Sequence, residues 1–167
     1  MLSYLIGFAG FVLTAMLQMS VFSQWKILSG SADIVLLFVI AWCLHDRSKR
    51  LWLLVLIMAG AVGAISAVPT WIPMVVYFIV YQVSRLFQAR LMQSPLLSML
   101  VLAFGASLLQ TILNLVYLFV TRVDLNFTDA LVEVALPSIL LNMLLAIPMH
   151  AIVREVAHYA FPKGVEA

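Results

Sequence analysis

Charged side chains are scarce in this chain. Asp, Glu, Lys and Arg account for 10% of its 167 residues, whereas hydrophobic residues account for 65%. A soluble domain usually carries roughly 25% charged residues, because it needs them to cover its surface. The mean hydropathy is +1.15, which excludes a soluble globular protein and predicts that lipid covers the excess apolar surface. The formal net charge of +2 and the lack of a long basic run argue against nucleic-acid binding.

Cysteine is nearly absent as well. Cys43 stands alone in the sequence, which rules out an intrachain disulfide and a cysteine-rich metal site. The sequence contains no HExxH motif, no Gly-rich phosphate loop and no pair of aspartates within an apolar run. Serines within the apolar runs have no histidine or lysine at matching depth to activate them as nucleophiles. We therefore predict no enzymatic activity, no catalytic residue, no cofactor and no bound metal.

Long apolar runs are what the sequence does contain. Six of them approach the roughly 20 residues that a helix needs to cross a bilayer. They predict transmembrane helices at 2–24, 28–44, 51–68, 73–88, 95–120 and 137–159. The N-terminus lacks the basic stretch and cleavage site of a secretory signal, so the first helix is expected to be retained. Residues 1–167 are thus predicted to form a single all-α integral membrane domain with six transmembrane helices.

Two predicted boundaries depend on local residue types. Serine and aspartate, which cap helix N-termini, recur within 29–33, so the second helix is predicted to be short and to begin near Leu28. The segment 128–136 mixes acidic with apolar residues, which predicts an amphipathic helix lying in the membrane interface. Pro137 is then expected at the first position of the sixth span, where proline is favoured. Pro148 predicts a kink within that span.

The distribution of Lys and Arg predicts the orientation, because cytoplasmic loops carry an excess of both. The loops after the second and fourth spans, together with the C-terminal end, hold the residues Arg47, Lys49, Arg50, Arg85, Arg90, Arg154 and Lys163. The opposite side holds Lys26 and Arg122. These loops are therefore predicted to be cytoplasmic. An even number of spans then places both the N- and the C-terminus in the cytoplasm.

Amide side chains interrupt the apolar runs, and such polar groups are the usual pointers to function within a membrane. They are Gln18, Gln82, Gln110, Asn114 and Asn142. Gln110 and Asn114 are four residues apart and share a helix face. We expect them to form hydrogen bonds between helices; a site for a small molecule or a partner is the alternative. No acidic residue is predicted at mid-membrane depth, so a proton relay is not expected.

Small residues recur at four-residue spacing in the third span, as in Ala59 with Gly63 and Gly60 with Ala64. Faces of this kind let helix backbones approach closely. Packing within the protein is the favoured interpretation, ahead of a homodimer seam.

Basic and histidine side chains cluster at the predicted cytoplasmic ends. His150, Arg154 and His158 recur every four residues, so they are predicted to line one face of the last helix. Snorkelling towards the lipid headgroups accounts for Arg154, and a docking face for a cytoplasmic partner is the alternative. The loop after the second span adds a second basic group, which is expected to contact anionic lipid or a partner. Its residues are Arg47, Lys49 and Arg50.

Three segments together resemble the MreD family of bacterial rod shape-determining proteins. Segment 17–22 reads LQMSVF, segment 31–37 reads SADIVLL, and segment 136–142 reads LPSILLN. They are similar to the family's Leu-Gln-x-Ser-Leu-Phe, Pro-Asp-Leu-Leu-Leu and C-terminal Leu-Pro…Leu-Asn elements, in the same order. The chain departs from the family pattern at Ala32, where proline is common, and in the third span, where the usual aspartate is missing.

The resemblance implies a fold similar to the substrate-binding subunits of energy-coupling-factor vitamin transporters. It also implies a non-enzymatic scaffold of the cell-elongation machinery for peptidoglycan synthesis, located in the bacterial cytoplasmic (inner) membrane. The implied partners are an MreC-like single-span protein, MreB, a RodA-type polymerase and a class B penicillin-binding protein. A vitamin-binding transporter subunit is the alternative function.

Eight residues are candidates for partner contact. Gln18 and Asp33, in the segments that carry the resemblance, are the candidates within the membrane. The candidates at the cytoplasmic ends are Arg47, Lys49, Arg50, His150, Arg154 and His158.

Overall fold

The computed structural model describes residues 2–22, 26–27, 30–45, 51–66, 69–90, 95–122 and 130–160. These residues form the α-helices α1 (Leu2–Leu17), α2 (Ile34–His45), α3 (Leu51–Ile65), α4 (Trp71–Arg90), α5 (Pro95–Val120) and α6 (Leu136–Ala160). A π-helical turn, Gln18–Phe22, extends α1, and a second, Ala130–Ala135, leads into α6. The two-residue strands β1 (Lys26–Ile27) and β2 (Gly30–Ser31) pair antiparallel before α2. The predicted helical class and the six helices are confirmed.

The centre of the bundle is α2, the shortest of the helices. Every residue at 34–43 is buried, and α2 contacts α1, α4, α5 and α6. A helix that is apolar all round has no face suited to water, so it is stable only when neighbours enclose it completely. Its 12 residues span about 18 Å, roughly half the length of α5. Its two ends therefore lie at different depths along the longer helices around it.

The helices alternate in direction through the bundle. Gly7 of α1 packs against Trp42 near the end of α2, whereas Gly10 packs against Phe38 one turn earlier, so α1 and α2 are antiparallel. The start of α6 lies beside the start of α2, and His150 further along α6 lies beside His45. Hence α2 and α6 are parallel, and the beginning of α1 and the end of α6 lie at the same end of the bundle.

Large apolar side chains also cover the outside of the bundle. On α5, for example, Ile112, Val116 and Phe119 are exposed. By length and hydropathy, two described helices are long and apolar enough to cross a membrane, Pro95–Val120 and Leu131–Tyr159. The observed bounds of α5 coincide with the predicted span 95–120, and α6 lies within one residue of the predicted span at both ends. The helix of α6 continues through Pro148.

Two predicted boundaries are wrong. The second helix begins at Ile34, not near Leu28, because β1 and β2 form a hairpin and Asp33 caps the helix after it. The predicted interfacial helix 128–136 is not separate in its described part, since Ala130–Ala135 runs directly into α6. Pro137 lacks an N–H to donate to the preceding turn, and the wider π-helical turn before it lets the chain stay helical.

Candidate functional site

A polar cluster lies where α2 begins, and Asp33 is its centre. The Asp33 carboxylate oxygen Oδ1 accepts a hydrogen bond from the backbone N–H of Leu36 at 2.9 Å. This is the geometry of an N-cap, in which a side chain satisfies one of the unpaired N–H groups of the first helical turn. The other oxygen, Oδ2, accepts from the Gln110 side-chain amide of α5 at 3.1 Å. Asp33 thus ties the start of α2 to α5.

Gln18 holds the backbone on both sides of Asp33. Its Nε2 donates to the carbonyl oxygen of Ala32 at 2.7 Å, and its Oε1 accepts from the N–H of Ile34 at 2.9 Å. Both groups lie at the point where the chain turns from the hairpin into α2, so neither has a partner within a regular element. The predicted site residues Gln18 and Asp33 are therefore neighbours in the fold, and contact of either with a partner protein stays a prediction.

Asn142 of α6 completes the cluster. Its Oδ1 accepts from the backbone N–H of Asp33 at 2.7 Å, and its Nδ2 donates to the Ser107 hydroxyl of α5 at 2.9 Å. The Asn142 side chain is buried. One side chain therefore joins α2, α5 and α6 through two hydrogen bonds. The prediction that intramembrane amides form hydrogen bonds between helices is confirmed for Gln110 and Asn142 and extends to Gln18.

The depth of the cluster follows from α5. Gln110 lies about 4 Å from the midpoint of this 26-residue helix, at 1.5 Å per residue. Ser107 lies closer still to the midpoint. Asp33 therefore meets α5 near the midpoint of that helix, because α2 is too short to reach the end of the bundle. That no acidic residue lies at mid-membrane depth stays a prediction. The chain enters the bundle before α2 begins.

The buried side-chain oxygens without a hydrogen-bond partner among the described residues include three on α4 and α5, which pack against each other and against α2. They are Oε1 of Gln110, Oδ1 of Asn114 and the hydroxyl of Tyr77 on α4. The Gln110 amide nitrogen is hydrogen-bonded to Asp33, so the unpaired oxygen of the same amide lies beside the carboxylate. Asn114 lies one helical turn further along the same face of α5. Buried oxygens without partners are uncommon and require a structural or functional explanation.

The other end of the bundle carries the histidines. The rings of His45 and His150 pack with centroids 5.5 Å apart, and Nδ1 of His45 donates to the Ala41 carbonyl oxygen at 2.8 Å. His150 is buried, whereas Arg154 and His158 are exposed. The three residues therefore do not share one environment, since His150 packs inward against α2 and the other two are exposed.

Arg154 lies 3.6 Å from Glu155, and both side chains are more than half exposed. An exposed pair of this kind contributes little stability, so Arg154 is free to reorient towards a headgroup or a protein. Of the remaining candidates, Arg47, Lys49 and Arg50 lie outside the described residues.

The residues predicted from the sequence do not include Ser107 or Tyr77. A weak signal did exist for Ser107, since it precedes Gln110 by three residues and so lies on the same helix face. Nothing in the spacing of Tyr77 distinguishes it from a lipid-facing tyrosine.

Replacing Gln18 by leucine is expected to lower the free energy of unfolding by about 2 kcal/mol, since the Ala32 carbonyl and the Ile34 N–H lose their partner. Denaturant titration of the purified protein in detergent, followed by circular dichroism, measures the change. Gln82→Leu is the matched control because Gln82 is exposed on α4. Equal stability of the two variants would contradict the role of Gln18.

Comparisons with known proteins returned nothing: no family model, no curated protein and no solved structure matches this chain.

Proposed function

We propose that the chain is a six-span protein of the bacterial cytoplasmic membrane, with both termini in the cytoplasm. It acts as a non-enzymatic scaffold of the cell-elongation complex. It binds an MreC-like single-span protein within the membrane and connects it to MreB, the RodA-type polymerase and the class B penicillin-binding protein. The similarity in fold to energy-coupling-factor substrate subunits is part of the same proposal.

The observation that supports the proposal most is the convergence of three segments. Gln18, Asp33 and Asn142 are the amide and carboxylate residues of the three elements that resemble the MreD family, one in each. They form one hydrogen-bonded cluster, although Asp33 and Asn142 are 109 residues apart in the chain. Leucine-rich segments that resembled a family by chance would have no reason to bring their polar residues together. The three elements therefore act as one structural unit.

A test of the scaffold role is co-purification from native membranes. The tagged full-length chain is expected to retain an MreC-like protein with a single span after solubilisation in mild detergent. A chain that is folded but purifies alone, even after cross-linking in the intact membrane, would refute the proposal.

The basic and histidine residues at the predicted cytoplasmic ends of the helices form the basic end of the protein. Reversing the charge there is expected to release the cytoplasmic partners from the chain. In a rod-shaped host that depends on this chain, replacing Arg47, Lys49, Arg50, Arg154 and His158 by glutamate should turn rods into round cells. We expect about a tenfold loss of co-purified MreB, which corresponds to about 1.4 kcal/mol of binding free energy. The changes at Arg154 and His158 should not disturb the fold, because both side chains are exposed.

The matched control is Arg122→Glu, since Arg122 is exposed just beyond the end of α5 and is predicted to lie on the opposite side of the membrane. That variant should keep the rod shape. Normal rods in the variant with the reversed basic end would reject this contact surface.

The alternative function, a vitamin-binding subunit of a transporter, is favoured by one observation: the unpaired oxygens of Gln110 and Asn114. A thermal-shift screen with vitamins separates the two functions. Nanomolar binding of one vitamin would replace the scaffold proposal by the transporter function.

A further inference from the structure

The oxygen atoms around Asp33 form a set with a common chemistry. Besides the carboxylate itself, the set comprises the amide oxygens of Gln110 and Asn114 and the hydroxyl of Tyr77, none of which has a partner among the described residues. Amide oxygens only accept hydrogen bonds or coordinate cations. A group that satisfies them must therefore either donate hydrogen bonds or carry positive charge.

Tyr77 provides evidence for this site that does not depend on the helix start. Its side chain is only 1% exposed, and its hydroxyl is unpaired. It comes from α4, which packs against both α2 and α5. Unpaired buried oxygens thus lie on two helices that pack against α2, and an N-cap alone would require none of them.

Asp33 is the acidic residue of the site. Within the described part of the chain, the one ion pair joins Arg154 to Glu155 on α6, and both side chains are exposed. The carboxylate of Asp33 accepts its hydrogen bonds from neutral groups, the Leu36 N–H and the Gln110 amide. An ionised carboxylate at this depth is costly unless a proton or a cation neutralises it. One positive charge is sufficient.

We propose that Asp33, Gln110, Asn114 and Tyr77 bind a monovalent cation, either an alkali metal ion or a primary ammonium group. Both present one positive charge to oxygen ligands, and the ammonium adds three N–H donors. Divalent Ca²⁺ usually takes six to eight oxygen ligands, several of them from carboxylates, whereas this site has one carboxylate. Asp33, Gln110 and Asn114 are partly buried as residues, whereas the unpaired oxygens of Gln110, Asn114 and Tyr77 are themselves enclosed.

Thermal unfolding of the full-length protein in detergent at pH 8 tests the site. The salts compared at equal ionic strength are the chlorides of sodium, potassium, methylammonium and choline. Choline carries the same charge but has no N–H donor and is too bulky to enter, so it sets the baseline. At a hundredfold excess over the Kd, a bound cation is expected to raise Tm by about 5 °C. A rise with sodium or potassium identifies an alkali ion, and a rise with methylammonium alone identifies an amine.

Two variants and one control assign the effect to these residues. Asp33→Asn keeps the N-cap, because asparagine caps as well as aspartate, but it removes the charge and should abolish the rise in Tm. Asn114→Leu removes an oxygen that has no partner among the described residues, so the variant should fold normally. Its half-saturating cation concentration should rise about tenfold. Gln82→Leu, at an exposed position, should keep the full response.

An identical Tm in all four salts would overturn the cation site, and so would a rise that Asp33→Asn retains. If Asp33→Asn does not fold, Asn114→Leu decides, since an unchanged half-saturating concentration in that variant also rejects the site. Cation binding is independent of the scaffold role, because co-purification with a partner requires no ion. A negative result for the cation site therefore does not contradict the scaffold proposal, and the reverse holds as well.

Discussion

Replacing Asn142 by leucine is expected to lower the free energy of unfolding by about 3 kcal/mol, the largest effect of any change in the polar cluster. The variant leaves the backbone N–H of Asp33 without an acceptor and the Ser107 hydroxyl without its donor. A hydrogen bond between side chains of membrane helices averages only about 0.6 kcal/mol. The backbone N–H decides the magnitude, because an unsatisfied backbone group away from water costs several kcal/mol. Leucine is larger than asparagine, so no cavity contributes, and overpacking at this buried position adds to the loss.

Asn114→Leu is the matched control for Asn142→Leu. It makes the same chemical change on α5, at an amide oxygen that has no partner within the described residues. We expect its unfolding free energy, measured without added alkali ions or amines, to stay within about 0.5 kcal/mol of the parent. Denaturant unfolding of both variants in the same detergent gives the comparison. Similar losses in the two variants would show that polarity within the helices, and not the bonds of Asn142, determines stability.

The cluster explains why a helix as short as α2 can occupy the centre of the bundle. Its residues at 34–43 are all buried, and its first turn begins near the midpoint of α5 instead of at an end. The unpaired N–H groups of that first turn cannot reach water, so side chains must satisfy them. Asp33, Gln18 and Asn142 do so from three directions. The complete burial of α2 therefore depends on the polar cluster, which satisfies the N–H groups at the start of the helix.

The boundaries of the long helices could be predicted because they depend on local signals. Pro95 cannot continue a helix from its N-terminal side, and the apolar run after it ends at Val120, so α5 was predicted with the observed bounds. The start of α2 was missed because the capping residues within 29–33 are equally compatible with an earlier helix start. The hairpin that excludes an earlier helix start pairs Lys26 with Ser31. Its strands are too short for an alternation of polar and apolar residues to predict this pairing.

The candidate site could be predicted only in pieces. The spacing of Gln110 and Asn114 placed both amides on one face, and Gln110 does bond to another helix. Its partner, Asp33, lies 77 residues away in sequence, and its depth depends on how far α2 extends beside α5. Depth of this kind is a tertiary property, because only the packing of a short helix against longer ones sets it. The sequence therefore predicts Asp33 at the start of the second span and as a candidate for partner contact, but not its hydrogen bond to Gln110.

Replacing Gly63 by alanine is expected to lower the free energy of unfolding by about 3 kcal/mol. A Cβ atom at Gly63 would lie 2.7 Å from the backbone Cα of Thr70 and 2.5 Å from its Cγ2. The obstructing Cα belongs to the connection between α3 and α4, so it can move only if the start of α4 moves with it. Overpacking of this kind typically costs 1–3 kcal/mol, and backbone obstruction places Gly63 at the upper limit.

Gly60→Ala on the same helix is expected to act in the opposite direction. A Cβ atom at Gly60 meets nothing within 4 Å, and alanine favours the helix over glycine by about 0.5–1 kcal/mol. Denaturant unfolding of the two variants side by side should therefore show a loss for Gly63→Ala and a small gain for Gly60→Ala. The pair also tests what the small-residue face is for. If a second copy of the chain packed on α3 through Gly60, the added methyl group would obstruct it and Gly60→Ala would destabilise as well. A gain in stability assigns the close approach to Gly63 and Thr70 within one chain and leaves Gly60 with no element packed closely against it.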